Sequence, residues 1–138
     1  RHHVIFGGVP QYSQVQAIKR GVDILVATPG RLLDLMAQKY INLSQVEIFV
    51  LDEADRMLDM GFIPDIERIF SLTPFTRQTF FYSATMAPEI ERITNTFLTA
   101  AVKIEVARQA TASTTIEQQL IQFQPTRKDR SFAEKRAV

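Results

Sequence analysis

Three carboxylates, Asp52, Glu53 and Asp55, fall within four positions just after the apolar run Ile48-Phe49-Val50-Leu51. Adjacent acids suit a hydrated Mg²⁺ and an activated water. Mg²⁺ keeps most of its waters and takes one or two carboxylates plus substrate phosphates, so Asp52 can hold the ion while Glu53 orients an attacking water. The same residues equally suit a helix start, where an aspartate caps the first turn and acids meet the positive end of the dipole. A second polar group is Thr28-Pro29-Gly30-Arg31. Thr28 fits an N-cap and Pro29 a first helical position, which leaves the amides of Gly30 and Arg31 free to face a phosphate. Arg31 adds a charged fork that could grip a nucleic-acid backbone without reading its bases. Capping alone accounts for Thr28 and Pro29; Gly30 and Arg31 favour a ligand. Gly7-Gly8 either let backbone approach a phosphate or make the turn into the next helix. Ser83-Ala84-Thr85 has no histidine nearby in the sequence to serve as a base, so hydrogen bonding of its hydroxyls to Asp55 fits better than a nucleophilic serine.

The elements that would position these groups alternate strand and helix. The opening stretch Arg1–Phe6, ending in the glycine pair, and the runs at 23–27, 48–51 and 79–82 read as strands, with 48–51 and 23–27 of the type buried on both faces of a parallel sheet. Between them, 11–20 and the stretch from Pro29 to Met36 read as helices. A short helix over Arg56–Met60 stops at Gly61, and a longer one over 63–72 puts Ile63, Ile66, Ile69 and Phe70 on one face. Pro88 and Glu89 open a further helix that turns Ile90, Ile93, Phe97 and Leu98 inward. Val102–Val106 alternates as another strand, and 116–124 as one more. The expected fold is α/β, a parallel sheet flanked by helices. Such a sheet would bring the polar ends of four strands, at Gly7, Thr28, Asp52 and Ser83, to one edge, where open α/β sheets bind ligands. His2 and His3, adjacent on a strand, point to opposite faces and are poorly placed to chelate one metal.

With 138 residues, 46% of them hydrophobic, the chain can fill one core. A net charge of +1 hides an asymmetry: residues 1–106 carry 10 basic and 12 acidic side chains, and 107–138 carry 6 and 3, so only the tail is basic. There is no cysteine, so the sequence gives no sign of a disulfide framework or thiolate metal site and is compatible with a reducing cytoplasm. No run is apolar enough to span a membrane and no signal-peptide pattern opens the sequence. A cytoplasmic location is the expectation.

Asp52-Glu53-Ala54-Asp55, with Ser83-Ala84-Thr85, Thr28-Pro29-Gly30-Arg31 and Gly7-Gly8 in matching order and spacing, resembles the DEAD-box ATP-dependent RNA helicases, and the wording around Arg56–Phe62 resembles bacterial members. The resemblance spans residues 1–124. It implies a partial RecA-like fold of the P-loop NTPase type: residues 1–106 as the C-terminal part of a first RecA-like domain, 107–117 as a linker, and 118–138 as the start of a second. It further implies ATP and Mg²⁺ as cofactors and RNA as partner. Asp52 would hold Mg²⁺ through water, Glu53 would activate the attacking water, and Asp55, Ser83, Ala84 and Thr85 would couple ATP state to RNA. Gly7, Gly8, Thr28, Pro29, Gly30 and Arg31 would contact the RNA sugar-phosphate backbone, giving local, sequence-independent duplex unwinding.

The sequence departs from the family in having no G-x-x-x-x-G-K-[ST] phosphate loop; none of Lys19, Lys39, Lys103, Lys128 and Lys135 follows a glycine. The glutamine motif that recognises adenine and the arginine fingers of a second domain are missing too. The expectation is therefore that these residues alone neither hydrolyse ATP at a useful rate nor unwind RNA. Two rivals stand beside this reading. A phospho-acceptor receiver domain would use Asp52 as acceptor and Ser83 as switch hydroxyl, but Phe6 leads into glycines rather than acids and Lys103 lies within its strand. A non-catalytic module would hold RNA backbone through Arg31 and the basic tail.

Overall fold

The computed structural model describes residues 1–106, which form four strands and five helices. In order these are β1 (His2–Ile5), α1 (Tyr12–Lys19), β2 (Ile24–Ala27), α2 (Pro29–Ala37), β3 (Ile48–Leu51), α3 (Ala54–Asp59), α4 (Ile63–Ser71), β4 (Gln78–Phe81) and α5 (Pro88–Phe97). Sequence explains most boundaries. Pro occupies the first turn of α2, α4 and α5, where its missing N–H costs nothing. Gly61, at φ +77°, takes the left-handed turn that ends α3.

The strands pair in parallel, β1 with β2 and β3 with β4, as two separate two-stranded sheets. This corrects the expectation of one sheet carrying all four polar ends. It also corrects the expectation of strands buried on both faces. Phe49 and Leu51 of β3 face the core, but Ile48 and Val50 are exposed, as are Ile24 and Val26 of β2. Alternate residues on a strand point to opposite faces, and here only one face is covered among the described residues. The further strand expected over Val102–Val106 does not form: the segment pairs with no strand among the described residues, and Val102, Ile104 and Val106 are all more than 80% exposed. Alternation alone cannot make a strand without a neighbouring ladder. The expected element at 116–124, the linker and the second-domain start lie outside the described residues.

Two apolar clusters hold the body together. Leu51, Ala54, Ile63, Ile66, Phe70, Ile90 and Ile93 form one; Ile5, Val15, Leu32, Leu35, Leu43 and Ile69 form the other. The two are joined through α4, whose Ile66 and Phe70 enter the first cluster and whose Ile69 enters the second, while Phe49 packs against both. Phe70 lies between Phe49 and Phe97, with ring centroids 4.7 and 4.8 Å away. Ile90, Ile93 and Phe97 of α5 turn inward on the 3.6-residue period, whereas Leu98 falls at the helix end and is only half-buried.

Candidate functional site

Parallel pairing of β3 with β4 sets Leu51 opposite Phe81, so the residues that follow each strand emerge side by side. Tyr82 N–H donates to Leu51 O at 2.8 Å and Ala54 N–H to Tyr82 O at 3.1 Å, continuing the ladder into the polar segments. Between them lies a cavity of about 650 Å³ lined by Asp52, Glu53, Asp55, Ser83 and Ala84. Tyr82, Arg56 and Asp59 complete its wall. Sequence reasoning passed over these three. Asp59 stands four residues after Asp55, hence on the same helical face, and that spacing was a readable signal.

Asp55 and Thr85, 30 positions apart, meet here. The Asp55 Oδ2 accepts from the Thr85 N–H at 3.0 Å and from its hydroxyl at 3.2 Å, and Oδ1 accepts from Arg56 N–H at 3.0 Å. Ser83 Oγ accepts from the Asp55 N–H at 3.2 Å and donates to Thr85 O at 2.7 Å. Burial pushes the Asp55 carboxyl up, but the donors from Arg56 and Thr85 outweigh it and hold the group below the usual carboxylate range. Glu53 is the N-cap of α3 in a left-handed conformation, φ 50° and ψ 47°, which costs a non-glycine residue about 1–2 kcal/mol. Its side chain is largely exposed, and no carboxylate caps the helix in the usual way. Backbone strain of this kind clusters at working sites.

Asp52 is exposed, with Oδ1 accepting the Glu53 N–H at 2.9 Å. Among the described residues no three His, Cys, Asp or Glu side chains converge on one point, so these residues offer no closed metal cage. A single exposed carboxylate free to take one position on the ion, beside an open cavity, suits Mg²⁺, which keeps several waters and takes its remaining ligands from phosphates.

The other candidate residues lie at the ends of β1 and β2. Thr28 is the N-cap of α2 without a side-chain cap bond, and Pro29 is buried at the first helical position. Gly7, Gly8 and Gly30 are exposed, and no chain atom lies within 4 Å of where a Cβ would stand on any of them. Gly8 needs glycine for its φ of +78°. Gly7 and Gly30 have no such internal reason. Arg31 is only 12% exposed and its guanidinium turns back on the chain. Nη1 donates to Gln14 Oε1 at 3.2 Å, Nη2 to Val9 O at 3.0 Å, and Nε lies 3.7 Å from the Asp34 carboxylate. Asp55, Ser83 and Thr85 thus form one bonded group around the cavity wall, and Arg31 joins the turn that contains Gly7 and Gly8.

The DEAD/DEAH box helicase family model matches residues 1–93. The chain belongs to this family. It is 43% identical over 121 residues to DEAD-box ATP-dependent RNA helicase 52A of Oryza sativa subsp. japonica, covering 85% of this chain and 20% of that protein. It is 45% identical over 116 residues to RNA helicase CrhR of Synechocystis sp., covering 84% of this chain and 24% of that protein. Among solved structures, a hypothetical ATP-dependent RNA helicase from Sulfolobus tokodaii superposes with a TM-score of 0.68 at 44% identity, over 72% of this chain and 30% of the other. The yeast DEAD-box splicing factor Prp28 superposes with a TM-score of 0.67 at 38% identity, over 70% and 23%. The chain therefore spans about a fifth to a quarter of the length of these curated relatives. The cavity at β3 and β4 holds the DEAD residues that name the family, and the RecA-like neighbours account for the parallel α/β architecture. The receiver-domain alternative is set aside by the family match.

Proposed function

We propose that these residues form part of the ATPase and RNA-binding machinery of an ATP-dependent RNA helicase. The observation that carries the reading is the cavity in which Asp52, Glu53 and Asp55 meet Ser83 and Ala84. Asp52 would hold Mg²⁺ through water and Glu53, strained and facing open space, would orient the water that attacks the terminal phosphate of ATP. Bound Mg²⁺ would supply charge neutralisation on the phosphates. Asp55 ties α3 to the segment after β4 through Thr85, so a shift at either segment is transmitted to the other; this suits coupling between nucleotide state and RNA. Gly7, Gly8, Thr28 and Gly30 would line the RNA sugar-phosphate backbone, with the buried Pro29 setting the start of α2 beneath them. The open space over Gly7 and Gly30 supports that role, since a side chain would fill what an RNA strand would occupy. Such contacts give affinity and register but no sequence preference, as local unwinding of arbitrary duplexes requires.

The 138 residues contain no phosphate-binding loop, so on their own they neither turn over ATP usefully nor unwind RNA; in isolation they act as an RNA-backbone-binding module. The test is RNA-stimulated phosphate release from ATP, measured on this chain and on the longest product of its gene. Turnover by the longer product and silence from the 138 residues is the expected result. Turnover by both would refute the inactivity of this chain, and turnover by neither would refute the enzyme reading and leave only the binding module.

A further inference from the structure

Gln14 is 4% exposed, and both ends of its amide are bonded. Its Nε2 donates to Phe6 O at 3.2 Å and its Oε1 accepts from Arg31 Nη1 at 3.2 Å. Arg31 in turn donates from Nη2 to Val9 O at 3.0 Å. Phe6 O and Val9 O are the carbonyls that flank the glycine pair. Gly7 and Gly8 are therefore held at both ends by two side chains that also bond each other, one from α1 and one from the first turn of α2. Thr28 N–H closes the same unit from the strand side by donating to Ile5 O at 3.1 Å. A glycine pair without such ties samples more backbone conformations than any other dipeptide, and ordering it on binding would cost free energy.

We infer that Gln14 and Arg31 are positioning residues that clamp the Gly7–Gly8 turn onto the start of α2, so that both segments meet an RNA strand as one preformed surface. The clamp stands on hydrogen bonds; its consequence rests on the RNA-binding reading above. Preorganisation lowers the ordering cost of association. With two acceptors and Asp34 around it, the Arg31 fork is engaged within the chain. Its effect on affinity passes through the backbone it holds rather than through a phosphate of its own.

The test uses the 138-residue chain, a fluorescent oligouridylate as RNA probe, and NMR order parameters for the Gly7 and Gly8 amides. In the unsubstituted chain these amides sit near the rigid-backbone value of about 0.85, and Gln14→Leu lowers them toward about 0.6 while the amides of α4 stay unchanged. Oligouridylate affinity falls about tenfold, and the dependence of log affinity on log salt keeps its slope. Arg31→Lys, which keeps the cation and loses the fork, behaves alike. Were Arg31 a phosphate contact, Lys would largely preserve affinity and Arg31→Gln would flatten the salt slope by about 0.7. That result, or a Gln14→Leu chain with rigid glycines or undiminished affinity, overturns the inference. If the unsubstituted chain binds no oligouridylate, the RNA reading fails instead, and the order parameters alone decide the clamp.

Discussion

Replacing Asp55 by alanine removes a carboxylate that accepts three hydrogen bonds, from Arg56 N–H, Thr85 N–H and the Thr85 hydroxyl, at 3.0–3.2 Å. Hydrogen bonds to a charged group are worth about 1.5–3 kcal/mol where water is excluded. Here the three lie at an open cavity, and solvent reduces each to roughly 0.5 kcal/mol, so Asp55→Ala should destabilise by about 1–2 kcal/mol. With a urea dependence of about 1–3 kcal/mol per molar, the unfolding midpoint drops by roughly 0.3–2 M. Thr85→Ala removes only the hydroxyl bond, and a double-mutant cycle with Asp55→Ala should return a coupling of about 0.5 kcal/mol. The pH dependence has a fixed sign. Because the folded Asp55 carboxyl lies below the ordinary aspartate value of about 3.9, its stabilisation is present in full above that value and disappears as pH falls through the lower folded pKa. The difference between the unsubstituted chain and Asp55→Ala should thus be flat from pH 7 to about pH 5 and shrink below about pH 4. Strict additivity of the two substitutions, or a difference that grows on acidification, would refute the link between the segments after β3 and β4.

Glu53→Gly should be more stable than Glu53→Ala by about 1 kcal/mol, because glycine accepts the left-handed backbone that alanine resists; the melting temperature would separate them by about 4–8 °C. Gly30→Ala meets no chain atom and sits in the first turn of α2, so it should leave urea stability unchanged or higher by up to about 1 kcal/mol while lowering oligouridylate affinity. Loss of stability there would show an internal reason for the glycine and weaken the interface reading. Ile66→Ala opens a cavity in the cluster that joins β3, α4 and α5 and should cost about 2–5 kcal/mol by urea unfolding, whereas Val102→Ala, on an exposed segment, should change stability by less than about 0.5 kcal/mol.

Much of this was legible in the sequence because it is local. The run Ile48–Leu51 announces a strand, Ile63, Ile66, Ile69 and Phe70 announce a helix face, and Thr28-Pro29 and Gly61 mark where helices begin and end. Periodicity and capping act over a few residues, so they survive being read without the rest of the chain. The same local logic misled at Val102–Val106, where alternation is present but no pairing strand stands among the described residues. It also overestimated the burial of β2 and β3, since a run of apolar residues says nothing about how many layers cover it.

The types and order of the polar groups after each strand were determined by the sequence alone, and with them the family. Their meeting was not. The register of β3 against β4, Leu51 opposite Phe81, decides that Asp55 faces Thr85 rather than solvent, and a slip of one residue would turn each side chain to the other face. The left-handed backbone at Glu53, the burial of Gln14 and the inward turn of the Arg31 fork likewise depend on neighbours distant in sequence. Local preference chooses the elements, whereas hydrogen-bond partners are assigned only when packing brings unsatisfied donors and acceptors within about 3 Å of one another.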